Sequence, residues 1–134
     1  MRILLLMLAL SGIVVSSLAL RVHYSTDIEP CSINERWDCG IVNHSRFAVI
    51  GQIPVAAIGI AGYGLIGLLA LLRSDRVLAA TSLLALAYAL YLTHIEASIL
   101  QVWCLYCVIS QTVIILIALF SLVNFWLRRR TAVL

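Results

Sequence analysis

The stretch Val102-Trp103-Cys104-Leu105-Tyr106-Cys107-Val108-Ile109 places a Cys-x-x-Cys pair at the start of a long apolar run. Because Cys104 and Cys107 are three residues apart, they lie on one face of a helix, about a turn from each other. At that separation the two sulfurs are close enough to form a disulfide. The rest of the chain is therefore interpreted as the scaffold around this pair.

Composition places the chain in the membrane class, since 63% of its 134 residues are hydrophobic and only 11% are charged. A bilayer crossing takes about 20 apolar residues, with a range down to roughly 17. Charges are clustered and leave four stretches of sufficient length, 3–20, 47–72, 77–93 and 97–127. We predict an all-α integral membrane protein, a single domain over 1–134 that forms a four-transmembrane-helix bundle. The third stretch is the shortest.

Arginine placement predicts the orientation. Six of the nine basic residues fall at the two termini and in the loop between the second and third stretches: Arg2, Arg73, Arg76, Arg128, Arg129 and Arg130. Four spans put these segments on one side, which by the positive-inside rule is the cytoplasm. Both termini are therefore expected in the cytoplasm, with the extracytoplasmic loop 21–46 between helices 1 and 2. The alternative for the first stretch is a cleaved signal peptide, because Ser17-Leu18-Ala19 resembles a cleavage site.

All four cysteines share one membrane face in this topology: Cys31 and Cys39 lie in the loop, and Cys104 and Cys107 open the last span. Membrane cysteines can be small buried hydrophobes, and four thiolates can form a zinc site. The shared face and the Cys-x-x-Cys spacing favour a relay of disulfides instead. A soluble thiol attacks the loop disulfide in an oxidising compartment, and a freed loop thiol then attacks the second disulfide.

Depth assigns the roles within the second pair. Cys107 lies about one turn, roughly 4.5 Å, deeper than Cys104. Cys104 is expected to take the attack from the loop, and Cys107 to face a membrane-soluble acceptor, for which a quinone is suited as an apolar two-electron oxidant. Such a reaction consumes protons, and His44, His94 and Glu96 lie near the outer face. Any of the three could relay protons, but we interpret each of them as a solvated interfacial residue and assign none to the reaction.

An ordered set of features resembles the vitamin K epoxide reductase (VKOR) family over residues 20–111. Besides four spans, they are the Cys31-x7-Cys39 pair, Ser45 six residues later, Gly51-x-x-Pro54 at the start of the second span, and Cys104-x-x-Cys107. In that family a four-helix bundle surrounds a quinone, and a thioredoxin-like protein delivers electrons to the loop pair. The resemblance implies these roles for the four cysteines, with Cys107 acting on the quinone and Ser45 near it.

Two departures from the family pattern concern the substrate. Val55 stands where many members have an asparagine nearby, and Gln111 stands where vertebrate members have a tyrosine. The resemblance therefore implies reduction of a plain quinone, ubiquinone or menaquinone, as in prokaryotic DsbB-like members. Many of these carry a fused thioredoxin-like domain. Because this chain ends at Leu134, a separate thioredoxin/DsbA-like partner is expected.

The resulting hypothesis is a membrane thiol:quinone oxidoreductase of the cytoplasmic membrane that supports disulfide bond formation. DsbB-type proteins have similar chemistry, but there the Cys-x-x-Cys precedes the spread pair. A metal-handling membrane protein, whose four thiols would pass a soft ion, is the alternative from another class. A purely structural subunit is a third. The basic C-terminus is expected to contact membrane lipid, and nothing indicates nucleic acid.

Overall fold

The computed structural model describes residues 2–24, 36–37, 46 and 49–133, and in them it confirms the all-α prediction. The helices are α1 (Arg2–Tyr24), α2 (Val55–Leu71), α3 (Asp75–Ile95) and α4 (Leu105–Val133). A short hairpin, β1 (Val49–Ile50) and β2 (Ile53–Pro54), precedes α2, and a π-helical segment, Glu96–Leu100, extends α3.

Three helical segments are long and apolar enough to cross a membrane: Arg2–Tyr24, Asp75–Leu100 and Leu105–Thr131. Among the described helices, α2 is the shortest, with 17 residues. The sequence had indicated that the third span would be the shortest. That length is at the lower end of the range of roughly 17–25 for a crossing. Large aliphatic side chains such as Ile3 and Leu84 point outward and are about three-quarters exposed. An outer surface of this kind is typical of a protein that contacts lipid.

The second span begins later than its predicted start at residue 47. Gly51 and Gln52 have φ angles of 53° and 74°. A two-residue turn with positive φ at both positions matches the twist of a hairpin, and it pairs Val49 with Pro54. Pro54, which belongs to the motif at the start of the predicted second span, immediately precedes α2 with φ −61°. Hydropathy cannot separate an apolar hairpin from the helix that follows it.

A tight turn joins α2 to α3. Leu72 caps α2, Arg73 adopts a left-handed conformation with φ 58°, and the Ser74 N–H donates to the Leu69 carbonyl at 3.2 Å. Asp75, the first residue of α3, contacts Arg128 near the end of α4 at 3.1 Å. The two helices are therefore antiparallel, with their arginine-rich ends together.

The last span also begins later than predicted. Residues 96–100 continue α3 as a π-helical segment, and Gln101 then reverses the chain with φ 54° and ψ 27°. The Cys104 carbonyl accepts the first helical hydrogen bond of α4, from the Val108 N–H at 3.0 Å. The predicted start at residue 97 was wrong because a left-handed residue within an apolar run leaves no trace in hydropathy. Cys104 consequently precedes α4, and Cys107 lies in its first turn.

Small residues let the helices approach closely, which is a common packing device in membranes. A methyl group at Gly59 would lie 2.9 Å from the Ser16 hydroxyl, and one at Gly67 would touch Ala9 at 3.6 Å. On α1, a methyl group at Gly12 would overlap the ring of Tyr63. The close packing of α1 on α2 therefore depends on glycine.

Candidate redox site

Cys104 and Cys107 meet at the end of the bundle opposite the Asp75–Arg128 pair. Cys104 is fully buried, while Cys107 is half-buried and lines a cavity between the helices. The two thiols lie within hydrogen-bonding reach of each other and are not joined in a disulfide. Cys104 packs against Val22 of α1. The pair is therefore presented inward, with Cys107 toward the cavity and Cys104 behind it.

Glu96 is the unexpected member of this site. It is only 4% exposed, and its Oε2 accepts a hydrogen bond from the Cys104 N–H at 3.3 Å. The carboxyl also lies within hydrogen-bonding reach of the Cys107 thiol. The contact exists because the π-helical segment begins at Glu96 and the reversal at Gln101 returns the chain toward it.

Our interpretation of Glu96 as a solvated interfacial residue was therefore wrong. His94, by contrast, is exposed and lies 3.4 Å from the Ser98 hydroxyl through its Nδ1, in agreement with that interpretation. His44 lies outside the described residues. An acidic residue at the end of an apolar run is by default a candidate functional residue, and that signal was available for Glu96 in the sequence.

A segment of the long loop is attached next to the cysteine pair. Trp37 forms a parallel backbone bridge with Trp103, and the Trp103 N–H donates to the Arg36 carbonyl at 2.6 Å. The two indole rings lie 6.3 Å apart between centroids. Residues 36–37 are thus fixed beside the residue that precedes Cys104. The other predicted site residues, Cys31, Cys39 and Ser45, lie outside the described residues.

A cavity of about 400 Å³ occupies the space between α2 and α3 and is lined by all four helices. Most of its wall is aliphatic, and its polar or ionisable lining residues are Ser16, Tyr63, Tyr88, Thr93, Glu96, Tyr106, Cys107, Ser110 and Gln111. Binding sites for small organic molecules typically measure about 300–1,000 Å³ and combine an apolar wall with few polar groups. The cavity has these properties, and Gly62, where a methyl group would meet nothing within 4 Å, contributes space to it.

Hydrogen bonds from α2 and α3 to α4 fix the polar groups of the cavity. The Tyr63 hydroxyl donates to the Ser110 carbonyl at 2.9 Å and lies 2.7 Å from the Ser110 hydroxyl. The Thr93 hydroxyl lies 3.3 Å from Oε1 of Gln111 and donates to it. Gln111 and Val55, the two positions that depart from the family pattern, both line the cavity. Substitution at either position therefore changes the wall of this cavity.

Metal binding gains no support from the part of the chain that the structure describes. Within it, no group of three or more His, Cys, Asp and Glu side chains could hold a metal ion. A site built from four thiols would require Cys31 and Cys39, which lie outside that part.

Comparison with known proteins identifies the family. No curated protein matches the chain. Residues 3–122 match the vitamin K epoxide reductase family. The match runs from the first residues of α1 through most of α4 and includes the cysteine pair, Glu96 and the cavity. The chain therefore belongs to the vitamin K epoxide reductase family of membrane oxidoreductases.

Proposed function

We propose that this protein is a membrane thiol:quinone oxidoreductase. Electrons pass from a separate thioredoxin/DsbA-like partner through Cys31 and Cys39 to Cys104 and Cys107, and then to a quinone, which supports disulfide bond formation. The observation that carries the proposal is the Cys107 thiol in the wall of an apolar cavity, with the buried Cys104 thiol next to it.

The cavity suits a quinone ring, ubiquinone or menaquinone. Its aliphatic wall matches a flat apolar ring, and carbonyl oxygens need hydrogen-bond donors of the kind that the Gln111 amide and the Ser110 hydroxyl provide. These residues would hold the ring, and Ser45 is proposed to lie near it. A bound quinone supplies a two-electron oxidant inside the membrane.

The cysteines supply the electrons. When Cys104 and Cys107 form a disulfide, two S–H bonds break and one S–S bond forms, which releases two electrons and two protons. Cys107 faces the acceptor because it lines the cavity, and Cys104 closes the disulfide from behind. The pair therefore cycles between dithiol and disulfide as electrons arrive and leave.

The burial of Cys104 supports a relay through the loop. A soluble protein thiol cannot approach a side chain that is 0% exposed, so an intermediate carrier is needed. Trp37 is attached beside Trp103, and Cys39 follows Trp37 by two residues, which span at most about 7 Å of extended chain. This tether favours the loop pair as the carrier to Cys104.

We further propose that the whole chain forms one domain in the cytoplasmic membrane, with both termini in the cytoplasm and the cysteines at the extracytoplasmic face. The Asp75–Arg128 contact supports this orientation, because it gathers the arginines of the α2–α3 turn and the C-terminus at one end of the bundle. Lipid surrounds the bundle, and anionic headgroups meet the basic end.

The test is a turnover assay in detergent. A reduced DsbA-like protein and a soluble quinone analogue are mixed with the wild-type protein, with Cys107→Ala, or with the control Ser98→Ala, whose side chain is exposed at the same end. We expect loss of quinone absorbance with the wild type and the control, and none with Cys107→Ala. Inactive wild-type protein with intact thiols and bound metal would refute the proposal in favour of the metal-handling alternative.

A further inference from the structure

Glu96 carries a buried carboxyl group whose hydrogen bonds lead to the reactive thiols. Buried carboxylates are normally paired with a cation, because a charge in an apolar region is costly. No described arginine forms an ion pair with Glu96. Its partners are the Cys104 N–H at 3.3 Å and the Cys107 thiol. The group therefore sits where a proton would leave the dithiol.

A purely structural role for Glu96 explains its contact with the Cys104 N–H but not its contact with the Cys107 thiol. Glu96 accepts a hydrogen bond at the N-terminus of α4, where a negative charge is favoured by the helix dipole. A serine or asparagine would cap the helix as well without a buried acid. The second contact, to the Cys107 thiol, adds nothing to the cap. It does place an acid next to a reacting sulfur, with which it can exchange a proton.

We propose that Glu96 is a catalytic residue that carries protons from the cysteine pair to the quinone. The proposal rests on the proposed function. In the first step the Glu96 carboxylate takes the proton of the Cys107 thiol, and the resulting thiolate can react. The protonated Glu96 then gives this proton to one quinone oxygen.

The second proton also passes through Glu96 to the quinone, which completes the balance of protons and electrons. As Cys104 forms the S–S bond with Cys107, the Glu96 carboxylate takes the Cys104 proton and gives it to the other quinone oxygen. Two S–H bonds are broken, and one S–S bond and two O–H bonds are formed. The two electrons leave with the hydroquinone, and Glu96 ends as the carboxylate with which it began.

The other titratable groups around Glu96 are thiols and phenols, so Glu96 is the carboxylic acid of the site. Besides Cys107, the cavity wall presents Tyr106 from α4, Tyr63 from α2 and Tyr88 from α3, while the Cys104 thiol lies behind Cys107. The residues that α1 contributes to the wall are Val15, Ser16 and Ala19, none of which titrates. Tyr63 is engaged with Ser110. Glu96 is therefore the one carboxyl group on the described cavity wall.

The first arm of the test needs no quinone. Infrared difference spectra between the dithiol and disulfide forms of the full-length protein follow the stretching bands of carboxyl groups, ionised and protonated, because the Cys107 thiol that Glu96 contacts in the dithiol form is lost when Cys107 enters the disulfide. We expect a carboxyl band that changes with the redox state in the wild type and in His94→Gln, and is absent in Glu96→Gln. Absence of any such band from the wild type would overturn the proposal.

The second arm measures single turnover of the reduced protein with a quinone analogue as a function of pH. Glu96→Gln keeps the size and the acceptor oxygen but cannot carry a proton, and we expect a rate reduced about 10²–10⁴-fold, as is usual for loss of a general acid or base. Glu96→Asp should recover part of the rate, and the exposed control His94→Gln should match the wild type. A Glu96→Gln rate within twofold of the wild type would overturn the proposal.

The two arms separate this inference from the proposed function. A wild type that shows the infrared band but reduces no quinone contradicts the function while it upholds the contact between Glu96 and the thiols that the proton transfer requires. A wild type that turns over without the band upholds the function and refutes the role of Glu96. If Glu96→Gln fails to fold, the wild-type spectrum and Glu96→Asp still decide.

Discussion

Two carboxyl groups at opposite ends of the α3 segment have opposite surroundings. Asp75 contacts Arg128 at 3.1 Å and accepts a hydrogen bond from Asn124, and the Arg128 side chain is 54% exposed. Glu96 is 4% exposed, and its partners are a backbone N–H and a thiol. The first acid joins two helices near water, whereas the second lies where chemistry can use it. On the proposed function, the cysteine end of the bundle carries the reaction, and the arginine end contributes to structure.

The largest expected effect is at the cysteine end. Cys107→Ala should abolish quinone reduction, because no thiol then faces the cavity, while the midpoint of thermal unfolding in detergent changes little. The matched change at the arginine end, Asp75→Asn, should leave the rate within about twofold, since no reacting group lies there. Quinone absorbance under identical conditions measures both. Equal losses of the quinone-reduction rate in the two variants would contradict the contrast between the cysteine end and the arginine end.

A large effect on stability is expected between the two ends, where α1 meets α2. Gly12→Ala should destabilise the bundle by about 1–3 kcal/mol, because the added methyl group overlaps the Tyr63 ring. Gly64→Ala is the control, since a methyl group there meets nothing within 4 Å and alanine favours a helix by roughly 0.5–1 kcal/mol. Denaturation curves in detergent should move in opposite directions. Similar curves would contradict the described α1–α2 contact.

A moderate effect on binding is expected from the polar wall of the cavity. Gln111→Leu removes a group that would hold a quinone oxygen, and loss of a neutral hydrogen bond of about 0.5–1.5 kcal/mol corresponds to a rise in KM of roughly 2- to 12-fold. The maximal rate should change less, because the cysteines are untouched. Steady-state kinetics with a quinone analogue measures both parameters. An unchanged KM together with a large fall in kcat would show that Gln111 acts in the chemical step and not in quinone binding.

The smallest effect is expected from the ion pair itself. Asp75→Asn should cost no more than about 1 kcal/mol, since Arg128 is 54% exposed although Asp75 is 17% exposed, ion pairs open to water contribute little and are screened by salt, and the amide oxygen can still accept the Asn124 hydrogen bond. The difference from the wild type should shrink at high ionic strength. Denaturant titrations at low and high salt provide the measurement. A cost of several kcal/mol at both salt concentrations would show that Asp75 is as deeply embedded as Glu96.

The sequence predicted what depends on composition and missed what depends on backbone reversals. Hydropathy located four helices, and the ordered motifs identified the family. The hairpin at Gly51 and Gln52 and the reversal at Gln101 were missed, because positive φ angles at Gln have no compositional signal. The burial of Glu96 depends on that second reversal, so its contact with the cysteines needed the folded structure.

Part of the predicted site stays a prediction. Cys104 and Cys107 lie together as expected, and the cavity beside Cys107 gives the proposed quinone a place. Cys31, Cys39 and Ser45 lie outside the described residues, so their roles rest on the family pattern and on the attachment of Trp37 beside Trp103. Cysteine spacing in a long loop does not determine which sulfur approaches Cys104.

The most direct test of the central claim is a single turnover without any partner. The protein is reduced, freed of reductant and mixed with a quinone analogue, and its remaining thiols are then alkylated and mapped by mass spectrometry. The account predicts one hydroquinone for each Cys104–Cys107 disulfide formed, and neither product in Cys107→Ala. Hydroquinone formation with Cys104 and Cys107 still fully alkylated would contradict it.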